Sequence, residues 1–285
     1  MNPFNKKEFV EKYNNKIPQI ISSQFIADTD TPISALLKIS NNQKYSFLLE
    51  SVEGGKQRGR YSLLGCEPDL VWKVKAGKVE IVTESHNLNK KINLNLNPVE
   101  SLKNILQLSK IAKNKKDPPY PILVGYLGYS MIQYMEKISL HNPDSLMIPE
   151  SMFIRPKITA VFDNIKDTID IMTSIYPEEN IKAEKALQMA EERILLNIQK
   201  LNSQIKKNET KNTKNIKKNI EIKSNLKKQD YLKLVEKAKT YIYKGDIFQV
   251  VPSQRFNCEY ILSSKSLYRS LRRLNPSPFL VNLNF

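Results

Sequence analysis

The hydrophobic pattern of the chain changes period several times, and each change marks an element. Residues 44–53 and 60–66 are strand-like apolar runs separated by Gly54-Gly55, which predicts a β-hairpin. "DLVWKVKAGKVEIVT" (69–83) alternates around Ala76-Gly77-Lys78 and predicts a second hairpin. A third is predicted over 156–176, turning at Asn164-Ile165-Lys166-Asp167. Between them, "YPILVGYLGYSMIQYME" (120–136) predicts a buried central strand in which Gly125 and Gly128 allow close backbone approach.

Helical period appears in three places. Asn97-Pro98 with Glu100 reads as a helix start, followed by Val99, Leu102, Ile105, Leu106 and Ala112 on one face. Residues 179–201 place Ala183, Leu187, Ala190, Ile194, Ile198 and Leu201 on an inner stripe. Beyond residue 228, Tyr231, Leu234, Val235, Ala238, Tyr241 and Ile242 form another stripe, with Gly245 suited to the helix C-terminus. "DIFQVVPSQRF" (246–256) then predicts a strand, with Pro252 implying an edge or bulge. "SKSLYRSLRRLNPSPFLVNLNF" predicts a short helix, a proline-stiffened corner and a last strand. Hairpins mixed with helices predict an α+β fold of antiparallel sheets with packed helices.

Composition narrows the class. At 285 residues, 40% hydrophobic and 26% charged, the chain has material for one large or two ordinary domains with real cores. It has no run approaching about 18 apolar residues and no apolar N-terminal region, so neither a membrane span nor a signal peptide is expected. Cys66 and Cys258 are the only cysteines, which fits a reducing cytoplasm. His86 and His141 both sit beside asparagine in polar stretches and read as solvated loop residues, so no histidine-based metal site or triad is expected.

The net charge is +16, and its location matters. Ten lysines and two glutamates between Lys200 and Lys228 leave +8, half of the excess. That segment has no aromatic residue, no arginine and no glycine, so it lacks the stacking platforms and guanidinium forks of specific nucleic-acid binders. It reads as a Lys/Asn-rich linker with at most weak polyanion attraction. The expected division is a first domain over 1–199, the linker over 200–228, and a second unit over 229–285.

One stretch asks for more than a hairpin. In "YSFLLESVEGGKQRGRYSLLG" (45–65) the first strand ends in Glu50 and Ser51, and Arg58 and Arg60 stand at the start of the second. A hairpin needs the glycines but not these polar groups. By themselves, Glu50 reads as a surface acid at a strand end, Ser51 as a hairpin hydroxyl, and Phe279 and Leu280 as strand core.

Four linked motifs, "FLLESVEGG…GRYSLLGCEP", "VGYLGYSMIQYME", "GDIFQVVPSQRF" and "LYRSLRRLNPSPF", resemble anthranilate synthase component I in order and spacing. The resemblance covers most of the chain outside the linker and the first twenty or so residues. It implies an enzyme that takes chorismate as substrate and Mg2+ as cofactor, and makes anthranilate and pyruvate with ammonia from a glutamine amidotransferase subunit, component II. It also implies that the metal-binding glutamates and acid/base groups fall in sequence after Phe285, so that 1–285 alone carries no catalytic, substrate-binding or metal-ligating residue.

The resemblance further implies a feedback site for L-tryptophan, in which the "LLES" strand faces the "NPSP" corner. Glu50 and Ser51 then receive the α-ammonium group. Pro278, Phe279 and Leu280 wall the indole, and Asn275 supplies an amide. Arg60 is the expected partner of the ligand carboxylate, on charge and position. The competing readings are a tryptophan-binding module without catalysis and aminodeoxychorismate synthase component I; the "LLESVEGG…GRYSLLG" form favours the anthranilate enzyme. No membrane and no specific nucleic acid are expected as partners.

Overall fold

The structure is a computed structural model that describes residues 5–41, 43–53, 57–93, 95–112, 119–140, 144, 146–205 and 220–285. In chain order the elements are α1 (Lys6–Asn14), β1 (Gln19–Ile26), α2 (Pro32–Ser40), β2 (Ser46–Glu50), β3 (Val52–Glu53), β4 (Gln57–Arg58), β5 (Tyr61–Lys75) and β6 (Lys78–Thr83). There follow α3 (His86–Lys91), α4 (Pro98–Leu108), β7 (Val124–Leu127), a 3-10 turn over Tyr129–Tyr134, β8 (Ser151–Asp163), β9 (Thr168–Ile175) and α5 (Ala183–Leu201). The last are β10 (Lys223–Ser224), α6 (Lys228–Tyr243), β11 (Phe256–Asn257), α7 (Ser264–Leu274) and β12 (Leu280–Asn284).

Contacts divide the chain into two compact units. One comprises Met1–Lys206 with Ser270–Phe285, the other Lys207–Arg269. The end of the chain joins the first unit because β12 pairs with β2. Of the lysine-rich segment 200–228, residues 206–219 lie outside the described residues.

The first unit is built on an antiparallel sheet of order β1-β9-β8-β5-β2-β12, with β6 also on β5 and β7 on β8. Local turn chemistry explains its hairpins. Lys75 and Lys78 face each other across Ala76 and Gly77, both at positive φ (48° and 75°), the geometry of a two-residue type I′ turn. Asp163 faces Thr168 across the 164–167 turn, which Asp167 closes at φ 51°. Both turns lie where the sequence places them.

Three expectations are corrected. The strands expected at 60–66 and 69–75 are one strand, β5, because Glu67 at φ 53° and a register shift between Pro68 and Leu70 absorb the break without ending the ladder. The stretch 120–136 gives a four-residue strand paired to β8 and then a 3-10 turn, not a central strand. Its glycine logic holds all the same: a Cβ on Gly125 would lie 1.9 Å from the Met152 carbonyl oxygen. The third correction lies in the second unit. The strand expected over 246–256 is absent apart from Phe256, whose two-residue β11 pairs with β10, because β-branched content favours an extended chain but a ladder needs a neighbour.

The core lies on both faces of the long strands. Leu70, Trp72 and Val74 point to one side of β5 and pack with Leu88 of α3, Ile105 of α4 and Met131. Val71 points to the other and joins Phe47, Val124, Met152 and Ile154. The Trp72 Nε1–H donates to the buried Ser101 hydroxyl on α4 at 3.0 Å, so the large apolar side chain leaves no orphaned donor. α5 buries Ala183, Leu187, Ala190, Ile194 and Leu201, as its period predicts. Asn97 caps α4 by accepting from the amides of Val99 and Glu100.

A buried charge sits within this framework. Arg155 on β8 donates to both carboxylate oxygens of Asp69 on β5 at 2.8 and 2.7 Å. It also donates to the Ser109 hydroxyl at 3.1 Å, and its guanidinium lies 3.7 Å from the Tyr176 ring centroid. Burial pushes the Tyr176 hydroxyl well above the ordinary phenol range.

Candidate functional site

The end of β2 is where distant parts of the first unit meet. Leu280 faces Glu50 and Val281 faces Leu49 in the β12–β2 ladder, so the "LLES" strand and the segment after the "NPSP" corner are direct neighbours. They meet despite more than 220 residues of separation. Cross-strand neighbours share a face, which sets Glu50 with the buried Leu280.

The Glu50 carboxylate is enclosed and accepts from Arg272 at 2.8 Å. Arg272 lies in the last turn of α7, where a cation also complements the helix C-terminus. The sequence analysis did not single out Arg272; its signal was the Arg272-Arg273 pair just ahead of the Asn275-Pro276 corner.

Ser51 follows Glu50 at the point where the hairpin changes register. Leu49 lies opposite Leu63, and Val52 opposite Arg58, so the return strand carries two more residues than the outgoing one between those pairs. This bulge holds Gly59 and Arg60. The Gly59 amide donates to the Ser51 carbonyl at 2.7 Å. A Cβ on Gly59 would lie 2.7 Å from the Ser51 Cβ and 2.9 Å from its Oγ, so the glycine gives the half-buried serine side chain its room. The bulge is tied down by Asn164, whose amides donate to the carbonyls of Arg60 and Gly59, both at 2.7 Å.

Arg60 is 46% exposed and grips Asp163 with Nε and a terminal nitrogen, at 3.2 and 3.0 Å. The carboxylate that the sequence analysis sought for Arg60 in a ligand is here supplied by the protein. Burial pushes the Asp163 carboxyl up. Hydrogen bonds from Arg60 and from the amides of Ile165 and Lys166 outweigh that and hold it below the usual aspartate range.

A carboxyl depressed on folding stabilises the fold above its unfolded pKa of about 3.9, and that contribution is lost as pH falls through the folded value. Asp163→Asn should therefore flatten the acid limb of the stability profile below about pH 5 and leave the profile near neutrality parallel to wild type. Urea midpoints measured at intervals from pH 7 to pH 3 check this, and an unchanged acid limb would show the pairing to be idle.

The corner residues divide. Asn275 donates its backbone amide to the Leu271 carbonyl at 2.8 Å and ends α7, with its side chain exposed. Pro278 is exposed and Phe279 is 85% exposed, while Leu280 turns inward. The structure thus sets Glu50 beside Leu280, adds Arg272, places the Ser51 side chain against Gly59, and leaves the Phe279 ring open. Among the described residues, no group of three His, Cys, Asp or Glu side chains could hold a metal ion. Cys66 is buried, and burial pushes its thiol up to about 12, which removes it as a nucleophile.

Comparison with known proteins shows the family of the chain. The family described as chorismate binding enzyme matches residues 47–285. Anthranilate synthase component 1 of Cereibacter sphaeroides is 37% identical over 269 residues, covering 94% of this chain and 53% of that protein. The protein of the same name from Synechocystis is 34% identical over 279 residues, covering 95% of this chain and 54% of its own length. The crystal structure of anthranilate synthase component I from Streptococcus pneumoniae superposes with a TM-score of 0.58 at 24% identity, over 77% of this chain and 46% of that one, which supports the α+β fold. The chain spans about half the length of the curated relatives it matches. It belongs to the chorismate binding enzyme family and is similar over nearly all its length to anthranilate synthase component I.

Proposed function

We propose that this chain is the tryptophan-sensing part of an anthranilate synthase component I. Within the assembled enzyme, chorismate and ammonia become anthranilate and pyruvate. The observation that carries the reading is the ladder between Glu50 and Leu280, which sets the "LLES" strand beside the corner segment. Ser51 offers a hydroxyl and Glu50, held in place by Arg272, a carboxylate; together they suit an α-ammonium group. Pro278, Phe279 and Leu280 offer the apolar side for an indole, Asn275 an amide, and Arg60 fixes the bulge that presents Ser51. Ammonia comes from a glutamine amidotransferase subunit, and the setting is the cytoplasm; among the described residues no helix is long and apolar enough to cross a membrane. Magnesium, the cofactor this reading implies, finds no fitting donor set among the described residues.

Two assays test the proposal. Residues 1–285 with chorismate, magnesium and ammonium should give no anthranilate fluorescence above background. A fusion of this chain to the part of the Cereibacter relative that it does not span should form anthranilate and be inhibited by L-tryptophan. A fusion that binds tryptophan yet forms no product would leave a binding module without catalysis. One that does neither would end the reading.

A further inference from the structure

The Asn164 side chain makes its hydrogen bonds outside its own turn. The β8–β9 connection is served by its neighbours: Asp163 accepts from the Ile165 and Lys166 amides, and Asp167 closes the turn at φ 51°. The Asn164 side-chain amide reaches the other hairpin instead. It donates to the Gly59 carbonyl at 2.7 Å and to the buried Ser62 hydroxyl at 3.3 Å, across 105 and 102 residues of sequence. The β5–β8 ladder ends at Tyr61 opposite Asp163, so Gly59 and Arg60 lie beyond it. There the turn takes over. The Asn164 backbone amide donates to the Arg60 carbonyl at 2.7 Å, and the Asp163 carboxylate holds the Arg60 guanidinium.

We propose that Asn164 is a positioning residue for an amino-acid ligand at the end of β2, acting through Gly59 on Ser51. The chain of contacts is short. Asn164 fixes the Gly59 carbonyl, and the Gly59 amide fixes the Ser51 carbonyl at 2.7 Å. Gly59 also packs so closely on the Ser51 side chain that a Cβ there would stand 2.7 Å from the Ser51 Cβ. Without the Asn164 bond the peptide between Gly59 and Arg60 can tilt, and the wall that sets the Ser51 hydroxyl moves with it. Hydrogen bonds weaken steeply with misalignment, so a small displacement loosens the ammonium end of the ligand. The indole end, walled by the corner residues, should not feel it. The inference rests on the tryptophan site proposed above, and its test tells the two apart.

The probes are L-tryptophan and indolepropionate, which keeps the indole and the carboxylate but lacks the ammonium group, each titrated calorimetrically into full chain 1–285. Asn164→Ala should weaken tryptophan binding about tenfold and leave the Kd of indolepropionate unchanged. Asn164→Asp, of the same size but without the donor, should show the same loss, so the result does not hang on the alanine variant folding. Asn164→His keeps an N–H at similar reach and should recover most of the affinity. In a Ser51→Ala background, Asn164→Ala should cost nothing further, because the hydroxyl it positions is already gone. Wild-type tryptophan affinity in Asn164→Ala and Asn164→Asp would overturn the proposal. Equal losses for both probes, or a loss that simply adds to that of Ser51→Ala, would also overturn it, since these mark a residue that only stabilises the hairpin. If Ser51→Ala weakens binding and Asn164→Ala does not, the positioning role falls and the site stands. No tryptophan binding by the wild-type chain would overturn both.

Discussion

Arg155→Met is expected to destabilise the first unit by about 3–5 kcal/mol, the usual cost of removing one partner from a buried ion pair. Three observations argue for the upper part of that range. The Arg155 side chain is 2% exposed, both of its short bonds go to one carboxylate, and that carboxylate would remain at 13% exposure with its cation gone. The Ser109 hydroxyl and the Tyr176 ring face would lose their partner as well. Pairing the change with Asp69→Leu should recover most of the loss, because removing both charges removes the desolvation penalty together with the attraction. Trp72, the only tryptophan, is buried in this unit, and its fluorescence during urea unfolding reports on the unit directly. A single variant within about 1 kcal/mol of wild type would show that water reaches the pair and screens it.

Much of the sheet was legible because its turns are local. Ala76-Gly77 and the 164–167 turn carry their own conformational requirements, and α5 is long enough for its period to stand out. β5 was harder. Pro68 is a strand breaker by type, and only the neighbouring β8 shows that the ladder resumes at Leu70. The strand expected over 246–256 failed for the complementary reason, since β-branched residues favour an extended chain but cannot supply the strand beside it.

The candidate site was legible in its ends and not in its middle. Glu50, Ser51 and the corner stood out through motifs. Arg272 reaches Glu50 across 222 residues, and Asp163 reaches Arg60 across 103, so neither pairing has a local signature. Charge and position made Arg60 look available. Its partner lies at the start of the β8–β9 turn, where Asp163 also accepts from the amides of Ile165 and Lys166.

Ser51→Phe, placed in the fusion that completes the enzyme, is expected to abolish inhibition by L-tryptophan while leaving kcat and KM for chorismate nearly unchanged. In the proposed site the serine hydroxyl meets the ligand's ammonium group, and a benzyl side chain removes that bond and fills the space. The β12–β2 ladder should survive, since Ser51 lies just past the last paired residue, Glu50. Ser51→Ala isolates the bond from the bulk. Losing a hydrogen bond to a charged group is worth about 1.5–3 kcal/mol, or a roughly 10- to 150-fold weaker Kd for tryptophan. Gly59→Ala offers a route that never touches the ligand: its Cβ would stand 2.9 Å from the Ser51 Oγ and push the hydroxyl from its place. It too should weaken tryptophan binding, by less than Ser51→Phe. Calorimetric titration of the three variants beside wild type gives the order directly. Equal affinity in wild type and Ser51→Phe would sink the site and return Ser51 to the role of a hairpin hydroxyl. A parallel loss of kcat would mean that regulation and chemistry share this end of β2, contrary to the separation of sites that feedback control requires.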